Sequence, residues 1–157
     1  MSMKLRVAIS AFALAAATLP AHAADPEAGA GAFASQCASC HVVQNEAGEV
    51  LAGRNARQGP NLYGVIGRQA GSVEGFRYGA SLVEAGTAGL IWDEEQIVSY
   101  LKDPTDFLKT TLGNNRARSQ MAQRVRKDED AVNLAAFLAT FSPAVEEEAA
   151  EEAVKTN

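Results

Sequence analysis

The sequence has few residues that bind metals and lacks a long apolar run. It contains two Cys and two His, and neither residue type occurs after His41. A structural zinc site takes about four such ligands, so zinc is not expected. The apolar run from Val7 to Leu19 has 13 residues, and a membrane-spanning helix needs about 20. No apolar and polar alternation is long enough to predict a sheet, and the predicted fold class is all-α.

The N-terminal residues have the pattern of a cleavable signal peptide. Lys4 and Arg6 precede the apolar run, and Ala21-His22-Ala23 has the small-x-small form of a cleavage site. We therefore expect residues 1–23 to be removed and the protein to be exported to the periplasm. Removal would leave one His and one Met in the mature chain.

The C-terminal residues 143–157 differ in composition from the rest. They begin with Pro143 and contain five Glu, one Lys and no aromatic residue. Such a segment buries too little apolar surface to order itself. We predict one folded domain over residues 24–142, followed by an acidic, disordered tail.

The motif CASCH, from Cys37 to His41, is the main chemical signal in the sequence. A dithiol oxidoreductase normally has its C-x-x-C after a strand, whereas here Asp25-Pro26-Glu27 begins a predicted helix that runs to Cys37. C-x-x-C-H is instead the attachment signature of c-type haem. Two thioether bonds from Cys37 and Cys40 would direct the next side chain, His41, at the iron.

A haem iron bound by His41 has a second axial position to fill. Met121 is the one Met outside the leader, and it lies among polar neighbours between Gly113-Asn114-Asn115 and Asp128. A thioether in a polar loop suggests ligation of a soft metal rather than core packing. The alternative is an open iron site that binds small ligands or peroxide.

Further helices are predicted from capping residues. Asp93 to Gln96 reads as a capping box, and Asp103-Pro104 ends that helix and begins a short one. The last helix starts at Asp128, and its apolar stripe is predicted to cross the first helix, Leu134 and Phe137 meeting Gly29 and Phe33. Residues 42–91 are predicted to be long loops, apart from a helical turn around 80–85, which bury their apolar residues on the haem.

With these residues placed, the sequence resembles the class I c-type cytochromes, most closely the cytochrome c2 and cytochrome c-550 group. The blocks GRNARQGPNLYGVIGR, EGFRYG and WDEEQIVSYLKDPTDFL match that group in order, as does the position of Met121. The resemblance implies three main helices and long loops around one covalent haem c. It also implies a monomeric one-electron carrier, not an enzyme, between a cytochrome bc1-type donor and an oxidase or photosynthetic reaction centre.

The resemblance further implies roles for five residues around the haem. Pro60 would accept a hydrogen bond from the ring of His41, and Tyr100 would lie near the sulfur of Met121. Three side chains would contact or neutralise the haem propionates: Arg68, Tyr78 and Trp92.

The sequence departs from the family beside the sixth ligand. Ala122 and Gln123 stand where the family usually has Thr and Phe, which puts the closure of that haem edge in doubt. From Lys109 to Lys127 there are six basic residues and no acidic one, although the whole chain has a net charge of -5. We expect this basic segment to dock acidic redox partners, and nothing else in the sequence suggests nucleic-acid binding.

Overall fold

The computed structural model of the chain describes residues 23–142. The leader before Ala23 and the acidic tail from Pro143 lie outside the described residues, so their predicted roles stay predictions. The order of the elements is α1 (Pro26–Gln36), β1 (Val42–Gln44), β2 (Val50–Gly53), α2 (Ala80–Thr87), α3 (Glu94–Lys102), α4 (Pro104–Leu112) and α5 (Asp128–Ala139). Within the described part, no helix has the length and apolarity to cross a bilayer.

The helix starts follow the capping residues. Asp25 accepts hydrogen bonds from the backbone N–H of Glu27 and Ala28 at the start of α1, and Asp103 accepts from Asp106 N–H at the start of α4. These bonds satisfy N–H groups that have no partner inside the helix.

The predicted capping box of α3 forms only in part. Asp93 Oδ1 accepts from Gln96 N–H at 2.7 Å, but Gln96 Oε1 is buried without a hydrogen-bond partner. The return bond of a capping box is therefore absent.

The first and last helices cross as the sequence predicts. Phe33 packs against Phe137 with ring centroids 5.5 Å apart, and Phe33 and Leu134 are each 1% exposed. A Cβ on Gly29 would overlap the carbonyl of Asn133 and the Cβ of Phe137. Glycine therefore sets the distance between α1 and α5, and α5 supports the end of α1 that carries CASCH.

The prediction that no sheet forms is wrong for residues 42–53. β1 and β2 are antiparallel, with Val42 opposite Gly53 and Val43 opposite Ala52. The next pair is Gln44 and Val50, so Leu51 has no partner in β1 and forms an irregularity in β2. The strands have three and four residues, which is too short to show a period of two. The rest of residues 42–91 is irregular apart from α2, and the all-α class with loops around a central cavity holds.

Candidate cofactor and metal site

The CASCH residues form a tight turn directly after α1. The carbonyl of Cys37 accepts from the backbone N–H of Cys40 at 3.0 Å and of His41 at 2.9 Å. Cys37 is buried and Cys40 is exposed. Burial, followed by the nearby Cys40, raises the pKa of Cys37 to about 11, so its thiol is protonated at neutral pH and is a weak nucleophile. A dithiol oxidoreductase instead lowers the pKa of its nucleophilic thiol.

The imidazole of His41 is held by the loop that contains Pro60. His41 Nδ1 lies 3.0 Å from the carbonyl oxygen of Pro60. A carbonyl only accepts hydrogen bonds, so Nδ1 carries the proton and Nε2 keeps its lone pair. Burial lowers the pKa of His41, and the bond to Pro60 opposes that shift. The neutral ring with a free Nε2 is the form that binds a metal.

Gly59 determines how closely this loop approaches the ring, and sequence reasoning did not identify it. A Cβ at Gly59 would overlap the ring atoms of His41. The Gly59 N–H also donates to the carbonyl of Cys40 at 2.8 Å, so the loop is tied to the CASCH turn. Only its place directly before Pro60 in the sequence could have drawn attention to it.

The structure brings all nine predicted site residues to the wall of one cavity of about 460 Å³. These residues are Cys37, Cys40, His41, Pro60, Arg68, Tyr78, Trp92, Tyr100 and Met121. Much of the remaining wall is apolar, with Phe33, Leu82, Ile97 and Leu134 among its side chains. A volume of this size is typical of a cofactor site.

Met121 reaches the cavity from an irregular loop between α4 and α5. Its backbone N–H donates to Ser119 Oγ at 3.0 Å, and the same hydroxyl lies 2.9 Å from the hydroxyl of Tyr100. Tyr100 is buried, and burial raises its pKa while the bond to Ser119 opposes the shift. Tyr100 is thus a neutral hydroxyl joined to the loop of Met121 through Ser119.

Arg68, Tyr78 and Trp92 line another part of the wall. The Arg68 guanidinium donates to the carbonyls of Tyr63 at 2.7 Å and Asn61 at 3.0 Å. Burial lowers the pKa of Arg68, and Tyr78 opposes that shift. Because an arginine stays protonated even so, this wall carries a positive charge that suits an anionic group of a ligand.

These donors fit haem c better than a bare metal ion. In the part of the chain that the structure describes, no group of three or more His, Cys, Asp or Glu could hold an ion. One imidazole, one thioether and two thiols on apolar walls are instead the groups that attach and ligate a haem. His41 and Met121 are the residues that could ligate its iron, and Cys37 and Cys40 those that could attach it.

Comparison with known proteins identifies the family. No family model matches the chain. The chain is 52% identical to cytochrome c2 of Rhodovulum adriaticum over 117 residues, which cover 74% of this chain and 92% of that protein. It is 50% identical to cytochrome c2 of Cereibacter sphaeroides over 139 residues, or 87% of this chain and 95% of that one. The chain belongs to the cytochrome c2 family.

Solved structures agree with this assignment. The crystal structure of cytochrome c2 from Rhodobacter sphaeroides has a TM-score of 0.74 and 49% identity, covering 76% of this chain and 98% of that one. Ferric cytochrome c-550 from Paracoccus versutus has a TM-score of 0.71 and 34% identity, covering 77% and 100%. The predicted class I cytochrome c fold is confirmed, and so is an electron-transfer protein rather than an enzyme.

Two residues directly after Met121 shape the edge of the cavity there. Ala122 and Gln123 both line the cavity and are exposed. The edge beside Met121 therefore has a methyl group and a polar amide that water can reach.

The basic segment contains Met121, and one of its basic residues lines the same cavity. Five of its six basic residues are exposed, and Lys109 is half-buried. Arg118 lines the cavity, and Arg124 forms an ion pair with Asp103 at 3.1 Å. The exposed members are Arg116, Arg118, Arg124, Arg126 and Lys127.

Proposed function

We propose that this chain is a periplasmic one-electron carrier with one haem c, bound covalently through Cys37 and Cys40 and ligated by His41 and Met121. When bound, the haem iron supplies one-electron exchange between its ferrous and ferric states. The proposed donor is a cytochrome bc1-type complex, and the acceptor is an oxidase or a photosynthetic reaction centre. The monomeric state and the export of the protein rest on the sequence and belong to the same proposal.

The observation that carries this proposal is the hydrogen bond between His41 Nδ1 and the Pro60 carbonyl. It supports Nε2 as the ligating nitrogen, because the other nitrogen of a metal-bound histidine almost always donates to an oxygen. Gly59 limits the freedom of the ring to tilt. The chain thus orients one neutral nitrogen on a wall that it shares with two thiols and a thioether.

The sulfur and the apolar walls together favour a positive reduction potential. A neutral thioether adds no negative charge to offset the oxidised iron, and buried apolar side chains disfavour its extra positive charge. If His41 and Met121 both ligated the iron, no ligand position would be left for a substrate, which supports electron transfer over substrate chemistry.

The redox titration of wild type and Met121→Ala tests the ligand assignment. We expect the wild type to have a positive potential and Met121→Ala to lose several hundred millivolts, within the range of about 0.8 V that axial ligands span. Asn115→Ala is the matched control, since Asn115 is exposed in the same loop and does not line the cavity. An unchanged potential in Met121→Ala would exclude Met121 as a ligand.

The basic segment is the proposed docking surface for acidic redox partners. Exposed like charges in the segment that carries Met121 steer an oppositely charged partner and favour brief encounters. The rate of electron delivery should therefore fall as the salt concentration rises, because exposed charges are screened. A rate independent of ionic strength would exclude this surface as the docking site.

A second candidate function is small-ligand binding or peroxidatic chemistry at an open iron. The exposed Ala122 and Gln123 at the cavity mouth favour it, because they leave the side of Met121 accessible. Carbon monoxide added to the reduced protein at neutral pH distinguishes the two functions. An unchanged spectrum supports the carrier, and a prompt spectral shift supports the open site.

A further inference from the structure

The loop that carries Met121 is held at two buried points. Ala117 and Val125 are each 1% exposed, and they lie four residues before and four residues after Met121. Val125 N–H donates to the carbonyl of Leu101 at 2.8 Å, which fixes the second point to α3. Between these points the backbone has no regular secondary structure, so the position of Met121 depends on other contacts.

Two of those contacts come from hydroxyl side chains of separate helices. Arg118 N–H donates to Ser81 Oγ of α2 at 3.1 Å. Ser119 N–H donates to Thr105 Oγ1 of α4 at 3.3 Å. The two consecutive amides directly before Gln120 and Met121 are therefore bound by side chains from residues 37 and 14 positions away in sequence.

Ser119 passes this restraint on to Met121. Its hydroxyl accepts from Met121 N–H at 3.0 Å and pairs with Tyr100 of α3 at 2.9 Å. If Ser119 moves, the backbone of Met121 loses its hydrogen bond. Thr105 positions Ser119, and Ser81 positions Arg118. Both bonds therefore affect the position of the Met121 sulfur.

Close packing fixes the position of Ser81. A Cβ on Gly86, in the same helix α2, would overlap the carbonyl of Ala70, so this helix rests directly on the backbone of the preceding loop. A Cβ on Gly79, at the start of the helix, would lie 3.0 Å from Gln120 Cγ. The N-terminal end of α2 therefore contacts the Met121 loop at both Gly79 and Ser81.

We propose that Ser81 and Thr105 are positioning residues that hold the Met121 loop against the cavity and so set how readily the thioether leaves the iron. The inference rests on the proposed function, in which Met121 is a ligand. Each hydroxyl replaces a backbone partner that a helix or strand would otherwise provide. Removing one should release the loop locally, since the lost bond is made to the loop and not within the core.

The experiment measures displacement of Met121 by imidazole in the oxidised holo protein. Ser81→Ala and Thr105→Val should each raise the apparent affinity for imidazole about five-fold, the value for one hydrogen bond of about 1 kcal/mol. The double variant should show a larger effect than either single variant, and the two effects need not multiply because both hydroxyls bind the same loop. Ser81→Thr and Thr105→Ser keep the hydroxyl and should restore wild-type affinity.

Thr87→Val is the matched control, because Thr87 lies on α2 but its hydroxyl donates to Val83 O within the same helix, at 2.9 Å. It should leave the imidazole affinity unchanged. Wild-type affinity in the double variant Ser81→Ala/Thr105→Val would overturn the proposal. If instead Met121 is not a ligand, so that the proposed function fails, the wild-type spectrum would be the same as that of Met121→Ala before any imidazole is added.

Discussion

The part of the cavity wall that carries His41 is held by backbone contacts, whereas the residues directly before Met121 are held by side-chain hydroxyls. On the first side, the Cys37 carbonyl closes the CASCH turn, and Gly59 binds Cys40 and contacts the ring of His41. On the second side, Ser81 and Thr105 accept the amides of the loop. The two candidate ligands therefore differ in how firmly the chain places them.

This difference has a physical cause in the covalent chain. His41 follows Cys37 and Cys40 directly and shares their turn at the end of α1, so local geometry determines its place. Met121 is far from these residues in sequence, and its loop must be positioned by contacts to α2, α3 and α4. Because no neighbouring residue in the sequence replaces these contacts if they break, the Met121 side should open first.

The largest effect is expected from Gly59→Ala, which would disturb the part of the cavity wall that carries His41. The added methyl group overlaps the imidazole of His41, and the bond from Gly59 N–H to the Cys40 carbonyl prevents the loop from moving away. We expect the free energy of unfolding of the holo protein to fall by about 3 kcal/mol, the upper part of the range for overpacking. Urea unfolding followed by haem absorbance measures it.

Arg57→Ala is the control for Gly59→Ala, since Arg57 is exposed in the same loop. It should change the unfolding free energy by less than about 0.5 kcal/mol. Equal stability of Gly59→Ala and wild type would show that the loop containing Gly59 moves without cost. The inference that His41 is held more firmly than Met121 would then be wrong.

An intermediate effect is expected from Gly29→Ala, which acts on the packing of α5 against α1, the helix that leads into CASCH. Alanine gains about 0.8 kcal/mol of helix propensity over glycine, but its methyl group would overlap Asn133 O and Phe137 Cβ. Overpacking of about 3 kcal/mol outweighs this gain, so we expect a net loss of about 2 kcal/mol in thermal or urea unfolding.

Gly31→Ala is the matched control on the same helix, because a Cβ there meets no atom within 4 Å. It keeps the propensity gain without the overlap, so it should stabilise the protein by about 0.8 kcal/mol. Destabilisation by both variants to the same extent would mean that the α1–α5 distance is not what Gly29 sets.

The sequence was sufficient for features that depend on neighbouring residues. Asp25 and Asp103 cap helices within three positions, and the CASCH motif places Cys37 and His41 in one turn. The crossing of α1 and α5 was also predictable, because Gly29 and Phe33 share one face of a helix. Half of the Asp93 capping box was nevertheless predicted wrongly, because the rotamer of Gln96 depends on the tertiary surroundings of its buried Oε1.

Features that join distant and common residue types were not predictable. Nothing in the sequence indicates that Gly59 contacts His41, or that Ser81 and Thr105 bind the loop of Met121. The hairpin of β1 and β2 was missed because its strands are short. The side chain of Asn61 also binds this hairpin: it donates to the Gln44 carbonyl at 2.7 Å and accepts from the Gln44 N–H at 3.0 Å. Such contacts arise from tertiary packing, which local patterns do not record.

The smallest effect is expected from Arg124→Gln, on the side of Met121. Arg124 and Asp103 form an ion pair at 3.1 Å, with side chains 58% and 36% exposed. Pairs this exposed contribute about 0–1 kcal/mol because water and salt screen them, so Arg124→Gln should lower the unfolding free energy by less than about 0.5 kcal/mol.

Val125→Ala, next in the chain, should lower the unfolding free energy by about 2 kcal/mol because Val125 is buried. Urea unfolding at low and high salt checks both values. A loss for Arg124→Gln that equals the loss for Val125→Ala would mean that a surface charge, and not the buried point at Val125, holds the end of the Met121 loop.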